Sequence, residues 1–122
     1  MLSWFNIFKE TGKKWEQYQA PVVTFLHEQD GPPERLLKEK LTEMFSKNKA
    51  VERAYLAMAR LGSESGVVLG LATRLGPDEK IVTSIQATFA SECHTNDHLD
   101  VLFLTTELET QLTKVCRPFF SV

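Results

Sequence analysis

Two cysteines, Cys93 and Cys116, are all the thiol chemistry this 122-residue chain offers. They are too few for a disulfide framework, and both are read as free and reduced, as in a cytoplasmic protein. No apolar run approaches the roughly 18 residues a membrane span needs. Neither sign of charge dominates, with a formal net charge of −2 and a pI of about 5.9. A weakly acidic chain has no general electrostatic reason to bind phosphate backbones, which demand clustered Lys and Arg, so no nucleic-acid partner is expected. The first residues, MLSWFNIFKETGKKW, lack a basic stretch ahead of their apolar part and a small-residue cleavage site. A secretory signal is therefore not expected. Repeats and low-complexity segments are also missing.

The length fits one domain. At this size folding buries roughly 65% of the unfolded chain's surface, enough for a core without staples. The chain is organised around Val51 to Thr73, which reads VERAYLAMAR, LGSESG and VVLGLAT. This is the pattern of two strands joined by a polar Gly/Ser turn. In the first strand Val51, Arg53, Tyr55, Ala57 and Ala59 alternate with Glu52, Ala54, Leu56, Met58 and Arg60. Neither face is cleanly polar in its middle, as expected of a strand partly covered on both sides. The second strand, Val67 to Thr73, is nearly all apolar, which places it centrally in a sheet. Gly70 inside it weakens the strand unless a neighbour packs tightly there.

The other elements follow from local signals. Val22 to His27 is β-branched and aromatic and reads as a strand. Pro32 and Pro33 open a helix, where a missing N–H costs nothing. Leu37, Leu41, Met44 and Phe45 form its apolar stripe. Glu34 and Lys38 face water four residues apart, and Asn48 is the expected C-cap. Pro77, Asp78 and Glu79 open a second helix with the stripe Ile81, Val82, Ile85 and Phe89. Leu99 to Thr105 is the last expected strand. Thr106 and Glu109 spell a capping box for a short final helix with the stripe Leu108, Leu112 and Val115. The order is β-α-β-β-α-β plus a short C-terminal helix. This predicts an α+β, ferredoxin-like fold, with two helices on one face of a four-stranded antiparallel sheet. The other face needs a cover.

Residues 1–20 form a separate unit, read as an aromatic amphipathic helix ahead of a single domain over residues 21–122. Trp4, Phe5, Phe8, Trp15 and Tyr18 recur at helical spacing. Gly12 weakens the middle by about 1 kcal/mol relative to Ala. The helix is read as a cover docked on the sheet, as an arm exchanged with another chain, or as an interfacial membrane helix. Three lysines against two glutamates give weak attraction to anionic lipid.

Metal-capable side chains cluster in ECHTNDH, where His94, Asp97 and His98 share a loop and Glu92 and Cys93 precede it. The spacing fits no zinc or metalloprotease pattern. The reading is a polar turn, with a metal-binding protein or metal-dependent hydrolase as an alternative. Cys93 sits at a helix C-terminus, which disfavours a thiolate. Cys116, beside an apolar stripe, reads as a small core residue. GSESG lacks the lysine and strand-to-helix context of a phosphate loop. Tyr55 is the single aromatic of the central strands, too few for a base-stacking platform. Arg53 and Tyr55 are expected at an interface or rim.

At VERAYLAMARLGSESGVVLGL the chain resembles the C-terminal domain of the bacterial enhanced serine sensitivity protein family. The resemblance spans roughly Val22 to Phe120. PPERLLKEKL, the strand residues Val51, Arg53, Ala54, Tyr55, Leu56 and Ala57, LDVLFL and the closing RPFF carry it. It implies a small α+β domain with no established catalytic motif, so no active-site residue is carried over. Longer members have an upstream domain, whose place the aromatic helix takes here. The expectation is a cytoplasmic, non-catalytic interaction or regulatory module, without catalytic, cofactor-binding or metal residues. Its interaction residues are Trp4, Phe5, Phe8, Trp15, Tyr18, Arg53 and Tyr55. Its partner is a second copy in a homodimer or another protein, with a membrane surface as the lesser alternative.

Overall fold

The computed structural model describes residues 23–61, 64–93 and 99–122. The expected helix over residues 1–20 lies outside the described residues.

The central hairpin forms where the alternation places it. Strand β2 (Val51–Leu61) pairs antiparallel with β3 (Glu64–Thr73), from Arg53↔Ala72 to Leu61↔Glu64. Strand β3 starts three residues earlier than its apolar run, because Ser65 and Gly66 pair with Arg60 and Ala59. Ladder bonds to a long partner override the weak strand preference of Glu-Ser-Gly.

Strand β1 (Val23–Glu28) lies antiparallel to β2, and β4 (Asp100–Phe103) lies parallel to β3. Helix α1 (Pro32–Ser46) connects β1 to β2, and α2 (Glu79–Cys93) connects β3 to β4. Helix α3 (Thr106–Leu112) follows, then a two-residue strand β5 (Phe120–Ser121). The fold is α+β, and the β-α-β-β-α-β order along the chain is as expected. The sheet is not the antiparallel, ferredoxin-like one. Its order is β1-β2-β3-β4, with β5 also on β2. The α2 crossover sets β4 beside β3 and parallel to it, as a βαβ unit does. Strand β5 pairs Ser121 with Arg53 and Phe120 with Ala54, on the edge of β2 that β1 also uses. The sequence reading missed it, because two residues carry no periodicity.

Alternation splits β2 and β3 between two cores. On one side Leu37, Leu41 and Phe45 of α1 and Ile81, Ile85 and Phe89 of α2 cover Ala54, Leu56, Leu69 and Leu71. On the other, Leu112 and Cys116 pack with Tyr55, Ala57, Val68 and Leu102. The face expected to await the N-terminal helix or a second subunit thus has a layer of its own. Val51 also departs from expectation. A bulge between Val51 and Arg53 turns it to the α1–α2 side, away from Tyr55.

Local roles differ as well. Glu34 is buried rather than solvent-facing, and it closes a capping box at α1. Its Oε1 accepts from the Gly31 N–H at 2.9 Å and its Oε2 from Gln29 Nε2 at 3.0 Å. Lys38 accordingly pairs with Asp30 at 3.1 Å and Glu28 at 3.7 Å. Lys47, not Asn48, is the C-cap, and Asn48 Oδ1 accepts from the Ala50 N–H at 2.9 Å. Gln86 of α2 brackets Leu99, donating to its carbonyl at 2.6 Å and accepting from its N–H at 2.8 Å.

Gly70 does have close neighbours. A Cβ there would lie 3.1 Å from Leu112 Cδ2 and 3.3 Å from Leu104 Cδ1. Gly70→Val is therefore expected to cost about 1–3 kcal/mol by overpacking. Leu112→Ala, which empties the same contact, is expected to cost about 2–5 kcal/mol. Leu75→Ala, at a side chain 90% exposed, should change stability by under about 0.5 kcal/mol. Urea denaturation of the three variants checks the ranking.

Candidate functional site

Arg53 and Tyr55 lie two residues apart on β2, so they share the face toward α3. Glu109 comes to them from the first turns of α3. Helix α3 begins with the Thr105 side chain capping the Leu108 N–H at 3.1 Å. The T-x-x-E pattern starting at Thr106 therefore does not cap the helix. It leaves the Glu109 carboxylate free to turn toward the sheet.

That carboxylate accepts three hydrogen bonds. Arg53 donates from Nε at 2.5 Å and from Nη2 at 2.9 Å, a two-pronged fit of guanidinium to carboxylate. Tyr55 donates its hydroxyl at 2.6 Å. The tyrosine ring is fully buried, while the Arg53 side chain keeps 38% of its surface. The cluster runs from the core to the molecular surface.

Each group titrates accordingly. The Arg53 guanidinium, then the Tyr55 hydroxyl, holds Glu109 below the usual carboxylate range against the cost of burial. Glu109 in turn raises the basicity of Arg53. Burial first, then the hydrogen bond to Glu109 and its charge, push Tyr55 up to about 12. At neutral pH this is a closed clasp. The tyrosine holds its proton, and the carboxylate already serves three donors. The arrangement fixes α3 over the sheet and presents one face of an arginine to solvent.

The structure brings Arg53 and Tyr55 together, as their spacing implies. Their partner Glu109 was assigned elsewhere by the sequence. The available signal was an acid in the first turns of a helix following a strand, but pairing across 56 residues is tertiary information. Trp4, Phe5, Phe8, Trp15 and Tyr18 lie outside the described residues, as do His94, Asp97 and His98. Among the described residues no group of His, Cys, Asp and Glu is placed to hold a metal ion. Cys93, the last residue of α2, is half-buried, and burial, Glu92 and Glu34 raise its thiol pKa. Cys116 is buried beside the Leu56 carbonyl, and burial pushes it up to about 11. Both thiols are held in the unreactive form.

The clasp has a pH signature. A raised tyrosine pKa contributes stability that is present below the ordinary value of 10 and lost as pH rises toward about 12. In Tyr18→Phe, where Tyr55 is the single tyrosine, tyrosinate absorbance should develop about two units later than in a model peptide. Adding Glu109→Gln should bring the midpoint down. At the acid end, the Glu109 contribution is present above its ordinary 4.5 and lost as pH falls through the lower folded value. Glu109→Gln should flatten that limb of the stability profile, as read by urea midpoints.

Comparison with known proteins agrees with the resemblance. No curated protein and no solved structure gives a significant match. The family model described as SseB protein C-terminal domain matches residues 23–121, most of the chain and nearly all of its described part. The chain belongs to the SseB protein C-terminal domain family.

Proposed function

We propose that the chain is a non-catalytic protein-interaction or regulatory module of the bacterial cytoplasm, and that it self-associates. One observation carries the reading. Both tryptophans, with Phe5, Phe8 and Tyr18, sit in the twenty residues ahead of a domain whose two sheet faces each carry their own helical layer. Large aromatics in that number exceed what a solvent-facing segment carries, and they suit a surface shared with another chain. The described polar cluster supports the same reading. The Glu109 carboxylate accepts from Arg53 twice and from Tyr55 once, which leaves it committed to the fold. Two-fold pairing through the aromatics is the simplest arrangement for a second copy.

Light scattering over a wide concentration range tests this. The expected result is a mass above that of one chain for the wild type. The full-length triple variant Trp4→Ser, Phe8→Ser, Trp15→Ser should associate more weakly with its thermal midpoint nearly unchanged. Monomers for both proteins at every concentration contradict the proposal.

A further inference from the structure

The early edge of β2 is closed by a short strap of the same chain, Arg117 to Val122. Strand β1 pairs with β2 only from Ala57 to Leu61. Over Arg53 and Ala54 the partner is β5, two residues long. Two further backbone bonds flank it. The Phe119 N–H donates to the Ala54 carbonyl at 2.9 Å, and the Val122 N–H to the Glu52 carbonyl at 3.0 Å. The Arg117 N–H donates to the Glu28 carboxylate at 3.2 Å. The rings of Phe119 and Phe120 lie 6.4 Å and 5.6 Å from that of Phe45, which is only 1% exposed. The strap's own residues are all exposed or half-buried. A two-residue ladder of that kind belongs to the part of a fold that opens locally, at less cost than global unfolding.

An open strap leaves an unpaired strand edge and turns Phe45 toward water, and both are unfavourable. The edge must be covered again. Cys116 is buried and stays with the layer of α3, so the strap turns on Arg117 and Pro118, both exposed. Proline fixes its own φ and holds the residue before it extended. A short hinge of this kind favours exchange between copies. A second copy is also the occupant that leaves nothing uncovered. It carries the complementary segment residue for residue, and its own edge accepts the strap it displaces. Any other chain would cover the edge and leave Phe119 and Phe120 in water.

We infer that two copies exchange their Arg117–Val122 straps, each completing the β2 edge of the other. The contacts made between copies are those made within one, so what opposes exchange is the entropy of bringing the copies together. Association through the N-terminal aromatics meets that cost, and here the inference rests on the self-association reading. Exchange then closes a two-fold dimer. It also lengthens the life of the pair, which separates only after both straps open.

The bond between Val122 and Glu52 sets these two positions opposite one another, off the core and outside the clasp. A full-length Glu52→Cys, Val122→Cys double variant is separated by mass, treated with a mild oxidant and run denatured without reductant. The two single variants give the background from Cys93 and Cys116. The dimer fraction should run as two chains joined by disulfides between copies. A short Gly/Ser insertion ahead of Pro118 lets each strap close on its own edge. It should shift the product at least about tenfold toward the disulfide within one chain. Dimers that give only within-chain disulfides, or none, overturn the exchange and leave the aromatic contact standing. So does a product that the insertion leaves unchanged. Monomers at every concentration overturn both readings.

Discussion

Tyr55 and Leu56 are neighbours on one strand, they point to opposite sides, and both are buried. A strand apolar on both faces must be covered twice, and the rest of the fold answers that demand. Helices α1 and α2 supply one cover. The other falls to a seven-residue helix, which in isolation is too short to be stable in water. Leu112 and Cys116 anchor it by apolar contact, and Gly70 lets it come close. Burying a tyrosine then creates a further requirement, because its hydroxyl needs a partner away from water. Glu109 meets it, and Arg53 balances the charge that Glu109 brings. The clasp is thus a consequence of covering β2 on its second face.

The same logic explains the ends of the chain segment described. Strand β1 covers only the later part of the β2 edge, and the Phe119–Phe120 segment occupies the earlier part. Phe119 donates its N–H to the Ala54 carbonyl at 2.9 Å, and the Phe120 ring lies 5.6 Å from that of Phe45 in α1. Lys38 stands 6.0 Å from the Phe119 ring while bonded to Asp30, joining the start of α1 to the C-terminal segment. Paired edges leave less template for unwanted strand addition.

Much of this was readable in the residues. The bounds of β2, the Pro-opened α1 and the stripe of α2 follow from periodicity and backbone chemistry. What escaped depends on contacts between distant segments. No local pattern states that β4 runs parallel to β3, since a helical crossover can return a chain in either sense. The bulge that turns Val51 over is set by pairing with β3. The acids were the hardest to place. Glu34 and Glu109 both stand near helix starts, yet only Glu34 caps, because the true cap of α3 is Thr105, one residue before the expected start. A one-residue difference in a helix start decides whether a carboxylate serves its own backbone or a strand more than fifty residues away.

The central claim is that one carboxylate ties the second helical layer to the strand beneath it. A double-mutant cycle between Tyr55→Phe and Glu109→Gln, read by urea unfolding, measures that tie without removing the layer. The account predicts a coupling of about 1.5–3 kcal/mol, the range of a hydrogen bond to a charged group. Effects that add to within about 0.5 kcal/mol would contradict it.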